Sequence, residues 1–134
     1  MKFPYIEKES KILGKILRPL VEIEIFSQVR NEWEIIEEFL VDTGADLTVI
    51  PRYIGESVIS DITTGEYAEI RGIVPTSLLI AFIHELRIRA GGKEFKTKVA
   101  IADSNDVPPI LGRYGAIDLF NMEFKKGKEI VFTD

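Results

Sequence analysis

Cysteine is absent from the chain, which removes disulfide frameworks, thiol nucleophiles and cysteine-based metal sites together. Histidine occurs once, at His84, too few for a zinc site, and no metal or organic cofactor is expected. Neither sign of charge dominates. The 17 basic and 22 acidic side chains leave a net charge of −5, a balance that gives no footprint for nucleic acid. Long apolar runs are missing too: the longest, Leu78 to Ile83, falls far short of the about 20 residues that a membrane-spanning helix needs. The first ten residues are mixed and charged rather than apolar, so neither a signal peptide nor a membrane partner is expected, and a cytoplasmic setting is the default.

What is present is a composition suited to folding: 46% hydrophobic and 29% charged residues over 134 positions. That length makes one domain with a real core and leaves no room for two lobes of ordinary size. Met1 to Ser10, with Pro4 and scattered charge, reads as an arm that is loosely ordered or docked on a neighbour. Residues 11–134 read as a single domain.

One stretch stands apart from the rest. In Phe39-Leu40-Val41-Asp42-Thr43-Gly44-Ala45-Asp46-Leu47-Thr48-Val49-Ile50-Pro51, a buried-strand pattern is interrupted by an acid, a hydroxyl and a glycine, after which apolar β-branched residues resume. A carboxylate at the end of a buried strand is either hydrogen-bonded for structure or held for use, because burial without partners disfavours its ionised form. Asp-Thr-Gly alone also suits a plain turn after a strand. Apolar flanks on both sides place this turn against the core, where a solvent turn does not belong. Gly44 allows the backbone a sharp turn and a close approach to a ligand, and Thr43 offers a hydroxyl that can donate and accept.

Strand patterns dominate elsewhere. After Pro19, Leu20-Val21-Glu22-Ile23-Glu24-Ile25 alternates as a half-buried strand. Asn31 to Phe39 would permit a short helix with an Asn cap, but reading Glu34 to Val41 as a strand in a hairpin delivers Asp42 from the core. Arg52 to Ser60 reads as a surface segment. Residues 61–70 and 77–89 form two β-rich arms around a tip at Gly72, Ile73 and Val74, followed by Pro75. Gly91-Gly92 is a strong turn signal before the alternating strand 94–102. Val107 to Phe120 contains a strand ending at Leu111, Gly112 and a short helix near residues 113–120. Residues 121–132 read as a terminal hairpin. His84, mid-strand, receives no role.

The Asp42–Asp46 loop resembles the active-site loop of the retropepsin-like, or retroviral-type, aspartic proteases, whose Asp-Thr-Gly-Ala-Asp it carries intact. Two further blocks support the resemblance. Arg18-Pro19-Leu20-Val21-Glu22-Ile23-Glu24-Ile25 is similar to the family's opening strand, and Ile110-Leu111-Gly112-Arg113, its glycine seventy residues after Asp42, to the element that crosses behind the catalytic loop. The implied fold is mostly β, a single-lobe acid-protease barrel with a flap hairpin. Implied roles are catalysis for Asp42, Thr43 and Gly44, and peptide binding for Leu40, Ala45, Asp46, Leu47, Val49, Gly72, Ile73, Val74 and Ile110. Structural support would come from Arg113, pairing with Asp46 of its own chain, and from Arg18, pairing with Asp46 of the partner subunit. Retroviral flaps carry several glycines, whereas this tip has Gly72 alone and adds Pro75, implying a stiffer flap.

Hydrolysis of a peptide by water needs a base and an acid at once, and one carboxylate cannot be both. The chain has a single Asp-Thr-Gly and no internal repeat, so the resemblance implies a twofold homodimer with its site at the interface. The expected activity is endopeptidase hydrolysis by an Asp42 pair. The alternative is a dimeric peptide-binding module of the same fold that cleaves weakly.

Overall fold

The computed structural model describes residues 1–74 and 76–134, and strand accounts for 56% of it against 10% helical. In chain order the strands are β1 (Lys2–Pro4), β2 (Ile6–Ser10), β3 (Gly14–Arg18), β4 (Leu20–Ser27), β5 (Glu32–Val41), β6 (Thr48–Ile50), β7 (Glu66–Arg71), β8 (Leu78–Ala90), β9 (Lys93–Ala102), β10 (Ile110–Leu111), β11 (Asn121–Lys125) and β12 (Glu129–Thr133). Helix α1 (Arg52–Val58) and 3-10 turns at Ile62–Thr64 and Ile117–Leu119 complete them. None of the described helices is long and apolar enough to cross a membrane.

Six strands close into a barrel. Their order is β4-β5-β10-β6-β9-β8, and β8 returns to β4 through Glu24 opposite Arg89 and Ile25 opposite Ile88. Alternation along β4 sends Val21, Ile23 and Ile25 inward and leaves Glu22 exposed, which is the period-2 pattern of a half-buried strand. Inside they meet Phe39, Ile50, Leu86, Ile88, Ile101 and Leu111, all essentially without solvent contact. The β4–β5 connection is the expected hairpin and not a helix; Asn31, at φ 55°, takes the left-handed position in its turn. Gly91 and Gly92 both have positive φ in the β8–β9 turn, which suits a primed hairpin turn.

Residues 52–58 differ from their reading as a surface segment. They form α1, whose Ile54 and Val58 are buried in the main core. A glycine in the middle of seven residues argues against a helix on propensity. Here Gly55 lies so close to Ile101 that an added Cβ would meet its Cγ2 at 2.2 Å, so packing against β9 overrides propensity.

The N-terminal ten residues form two strands. β1 pairs with β12 in a three-stranded sheet ordered β1-β12-β11, and β2 pairs with β3 in a separate two-stranded hairpin. β7 adds to the barrel along β8 as an antiparallel hairpin that pairs from Glu66 opposite Ile83 to Arg71 opposite Leu78. Pro75, named in the expected tip, lies outside the described residues.

Candidate active site

The motif loop is built by an insertion. β5 runs outward to Val41, the chain turns through residues 42–47 and comes back as β6, and β10 slots between the two. Ile110 therefore faces Leu40 in parallel register on one side and Val49 in antiparallel register on the other. The loop backbone is tied to β10 and the residues after it by four hydrogen bonds. Asp42 N–H donates to the Leu111 carbonyl at 3.1 Å and Gly112 N–H to the buried Thr48 hydroxyl at 3.1 Å. Arg113 and Tyr114 N–H donate to the carbonyls of Ala45 and Asp46, each at 2.9 Å.

Gly112 makes this crossing possible. A Cβ there would lie 2.3 Å from the carbonyl carbon and oxygen of Leu47 and 2.8 Å from the Thr48 nitrogen, which backbone cannot tolerate. Thr48 and Gly112 were not singled out as site residues from the sequence. A hydroxyl within the apolar run Leu47-Thr48-Val49-Ile50 was the available signal, since a buried hydroxyl needs a partner.

At the turn itself, Asp42 is half-buried while Thr43 and Gly44 are exposed. Asp42 Oδ1 accepts the Gly44 N–H at 2.9 Å, which fixes the carboxylate against its own loop. The second oxygen has no partner among the described residues. Gly44 does not sit at positive φ; its requirement is proximity, because a Cβ would come within 3.2 Å of Asp42 Oδ1.

The expected apolar site residues separate into two groups. Leu47 and Ile110 join Ile70 and Leu79 of the β7–β8 hairpin around buried Val49, Ala81, Ala100 and Ala102, forming a second, smaller core beside the loop. Ile70 and Leu79, a facing pair one step from the hairpin's tip, are not among the site residues expected from the sequence. At the tip, by contrast, Gly72, Ile73 and Val74 touch solvent, with Ile73 fully exposed at 103%. At the hairpin's other end, the His84 ring nitrogen Nε2 lies 2.7 Å from the Ile62 carbonyl and links β8 to the preceding 3-10 turn. Asp61 caps that turn, accepting both the amide and the hydroxyl of Thr63, and these bonds hold its pKa below the ordinary value.

One arginine differs from expectation. Arg113 does not pair with Asp46 in the single chain: its guanidinium meets Asp118 Oδ2 at 3.4 Å. The reason is local, since Asp118 N–H donates to the Arg113 carbonyl and that turn brings the two side chains together. Asp46 and Arg113 nevertheless line one hollow, with Leu47, Tyr114 and Asp118. Arg18, at the end of β3, is exposed and makes no ion pair with a described residue.

No family model and no curated protein sequence matches the chain. Solved structures do. A retropepsin-like aspartic protease from Rickettsia conorii superposes with a TM-score of 0.63 at 18% identity, over 99% of this chain and 91% of that one. EIAV protease, in complex with the inhibitor HBY-793, superposes with a TM-score of 0.52 at 25% identity, over 76% of this chain and 88% of that one. The fold is that of the retropepsin-like aspartic proteases. The resemblance first read from the Asp42–Asp46 loop thus extends along the whole chain, and the retropepsin-like fold includes the terminal β11–β12 hairpin and the strand β1 paired with it.

Proposed function

We propose that the chain is one half of a homodimeric aspartic endopeptidase. The observation that carries this reading is Asp42 itself: a carboxylate at the end of a barrel strand, one oxygen held by the Gly44 amide and the other without a partner among the described residues, in a retropepsin-like fold. Two such loops related by a twofold axis bring two carboxylates together. Like charges so close share one proton, so one member accepts a proton from water while the other donates to the substrate carbonyl oxygen. After water adds, the proton taken from water passes from the first carboxyl to the leaving amine, and as the C–N bond breaks a hydroxyl of the gem-diol returns its proton to the second carboxylate, restoring the shared-proton pair. Thr43 hydroxyls link the loops across the axis, and Arg18 pairs with Asp46 of the partner subunit.

An extended peptide lies between the loops and the β7–β8 hairpins, which act as flaps. Its backbone bonds near Gly44 and Gly72, in the manner of a strand added to a sheet edge. Leu40, Leu47, Val49, Val74 and Ile110 form apolar pockets, so hydrophobic side chains flank the cut; Ala45, Asp46 and Ile73 complete the contact. The chemistry uses only these side chains and water.

The test is Asp42→Asn, which keeps the shape and hydrogen-bonding capacity of the side chain and removes its charge. Hydrolysis of denatured protein falls by at least about a thousandfold while the dimer and its melting point persist. Equal hydrolysis by the variant and the unmodified chain overturns the reading. Peptide binding without fragments from either, across acidic to neutral pH, assigns the chain to the weakly cleaving binding module instead.

A further inference from the structure

β7 is the edge strand of its sheet, and its backbone pairs with β8 alone. β8 is itself held by β9 from Ala81 to Ala90, and the Ile80 carbonyl takes the Asp103 amide at 2.8 Å, so Leu78 and Leu79 pair only with β7. The course of the hairpin beyond the barrel therefore depends on where β7 starts. That starting point is fixed by the short turn before it and by one side chain opposite.

The turn is Ile62–Thr64, and it is firmly made. Ile62 is buried in the main core, Asp61 Oδ1 accepts the Thr63 amide at 3.0 Å and its hydroxyl at 2.6 Å, and the Asp61 carbonyl accepts the Thr64 hydroxyl at 2.8 Å. Across from it, half-buried His84 stands in the row of β8 that continues inward as Leu86 and Ile88. Its Nε2 lies 2.7 Å from the Ile62 carbonyl, and because a carbonyl only accepts, Nε2 carries the hydrogen of this bond. Gly65 closes against the same ring. A Cβ there would come within 2.6 Å of Nε2, 2.7 Å of Cδ2 and 2.5 Å of the Ile83 carbonyl oxygen, while its φ of −75° is one that any residue adopts. The glycine answers the closeness of ring and strand, not a backbone twist. One position later, Glu66 begins β7 opposite Ile83.

Resting on the reading above in which the β7–β8 hairpins act as flaps over bound peptide, we infer that His84 is a positioning residue for that closure. Its bond to Ile62 sets the point from which β7 leaves the body, and with it the place where Gly72, Ile73 and Val74 meet the peptide. The imidazole does not touch the reacting atoms in this role. Asp42 follows β5, which pairs with β4 and β10 and with neither strand of the hairpin. Loss of the bond therefore weakens peptide binding and leaves the chemical step alone.

Two substitutions at His84 read this directly. His84→Leu keeps an apolar filler and removes the donor, whereas His84→Gln returns an N–H at a similar reach. Each is compared with the unmodified chain in peptide hydrolysis and in hydrogen exchange of the β7 amides against those of β9. The expected result for His84→Leu is a KM raised about fivefold with kcat within about twofold, and β7 exchange at least about tenfold faster with β9 unchanged. His84→Gln brings both back toward the unmodified values. Gly65→Ala pushes the start of β7 off the ring from the other side and gives the same pair of changes, so it decides the matter where His84→Leu does not fold. Hydrolysis by the unmodified chain with KM unmoved in the variants, whatever β7 exchange does, overturns the positioning role and leaves the endopeptidase reading standing. Faster exchange in β9 as well as β7, with a lower melting point and no return in His84→Gln, assigns the ring to general support of the barrel and also overturns it. An unmodified chain that hydrolyses nothing overturns both.

Discussion

Gly112→Ala is the substitution most diagnostic of how the motif loop is held. An ideal Cβ at this position meets the Leu47 carbonyl at 2.3 Å and the Thr48 nitrogen at 2.8 Å, against ordinary contacts of about 3.5–4 Å. The obstacle is backbone on both sides, so no side chain can rotate away. Residues 110–112 and the loop must separate by roughly 1 Å, which stretches the bonds at Asp42, Gly112, Arg113 and Tyr114 together. Overpacking costs about 1–3 kcal/mol, and weakening four bonds that are each worth about 1 kcal/mol adds to it. A total near 3 kcal/mol lowers the melting temperature by roughly 10 °C for a domain of this size.

Gly44→Ala is the matched comparison. Its Cβ meets only the Asp42 Oδ1 atom, at 3.2 Å, so a few tenths of an ångström relieve the contact and stability falls by less than about 1 kcal/mol. The atom that moves is the carboxylate, however, and activity falls about tenfold. Circular-dichroism melts and peptide hydrolysis on both variants separate scaffold from site. A Gly112→Ala protein that melts within about 2 °C of the unmodified chain refutes the close crossing of β10 and the motif loop.

Three further outcomes are expected. Asp61→Asn destabilises the protein at neutral pH and makes less difference in acid. The Thr63 bonds depress the folded-state pKa of Asp61, so its stabilising effect is present above the unfolded pKa and is lost as pH falls through the folded one; urea titrations at pH 7 and below pH 3 read the two limits. Ile73→Asp leaves the melting point within about 1–2 °C, since the side chain is fully exposed, while raising KM several-fold if the tip covers bound peptide. Thr48→Val strands the Gly112 amide in the interior and costs about 1–3 kcal/mol by chemical denaturation.

Much of this architecture is legible in the sequence because the barrel strands alternate cleanly. Leu20 to Ile25 declares one buried face and Gly91-Gly92 names its own turn, whereas the run into Val41, whose pattern also permits a helix, becomes a strand through its hairpin pairing with β4. Three things were not legible, each for a physical reason. Helix α1 depends on Gly55 packing against Ile101, forty-six positions away, and local propensity argues against it. The pairing of Arg113 with Asp118 rather than Asp46 follows from one backbone turn that spacing alone does not specify. The strands made by the first ten residues depend on partners at both ends of the chain, β12 for β1 and β3 for β2.

The candidate site shows how the same limit bears on function. Asp42, Thr43 and Gly44 announce themselves because polar residues interrupt an apolar run. What positions them is a two-residue strand, Ile110–Leu111, held by a hydroxyl and by backbone atoms that no residue pattern displays. The loop has little freedom at its base, where ties run to β10, to the residues on either side of it and to Pro19, and much more at Thr43 and Gly44, which face solvent. A half-site of this kind is stiff where it joins the barrel and open where a second copy would meet it. In the proposed homodimer, association completes geometry that folding has already set, so loss of the dimer is expected to abolish hydrolysis while leaving the barrel's melting point governed by the single chain.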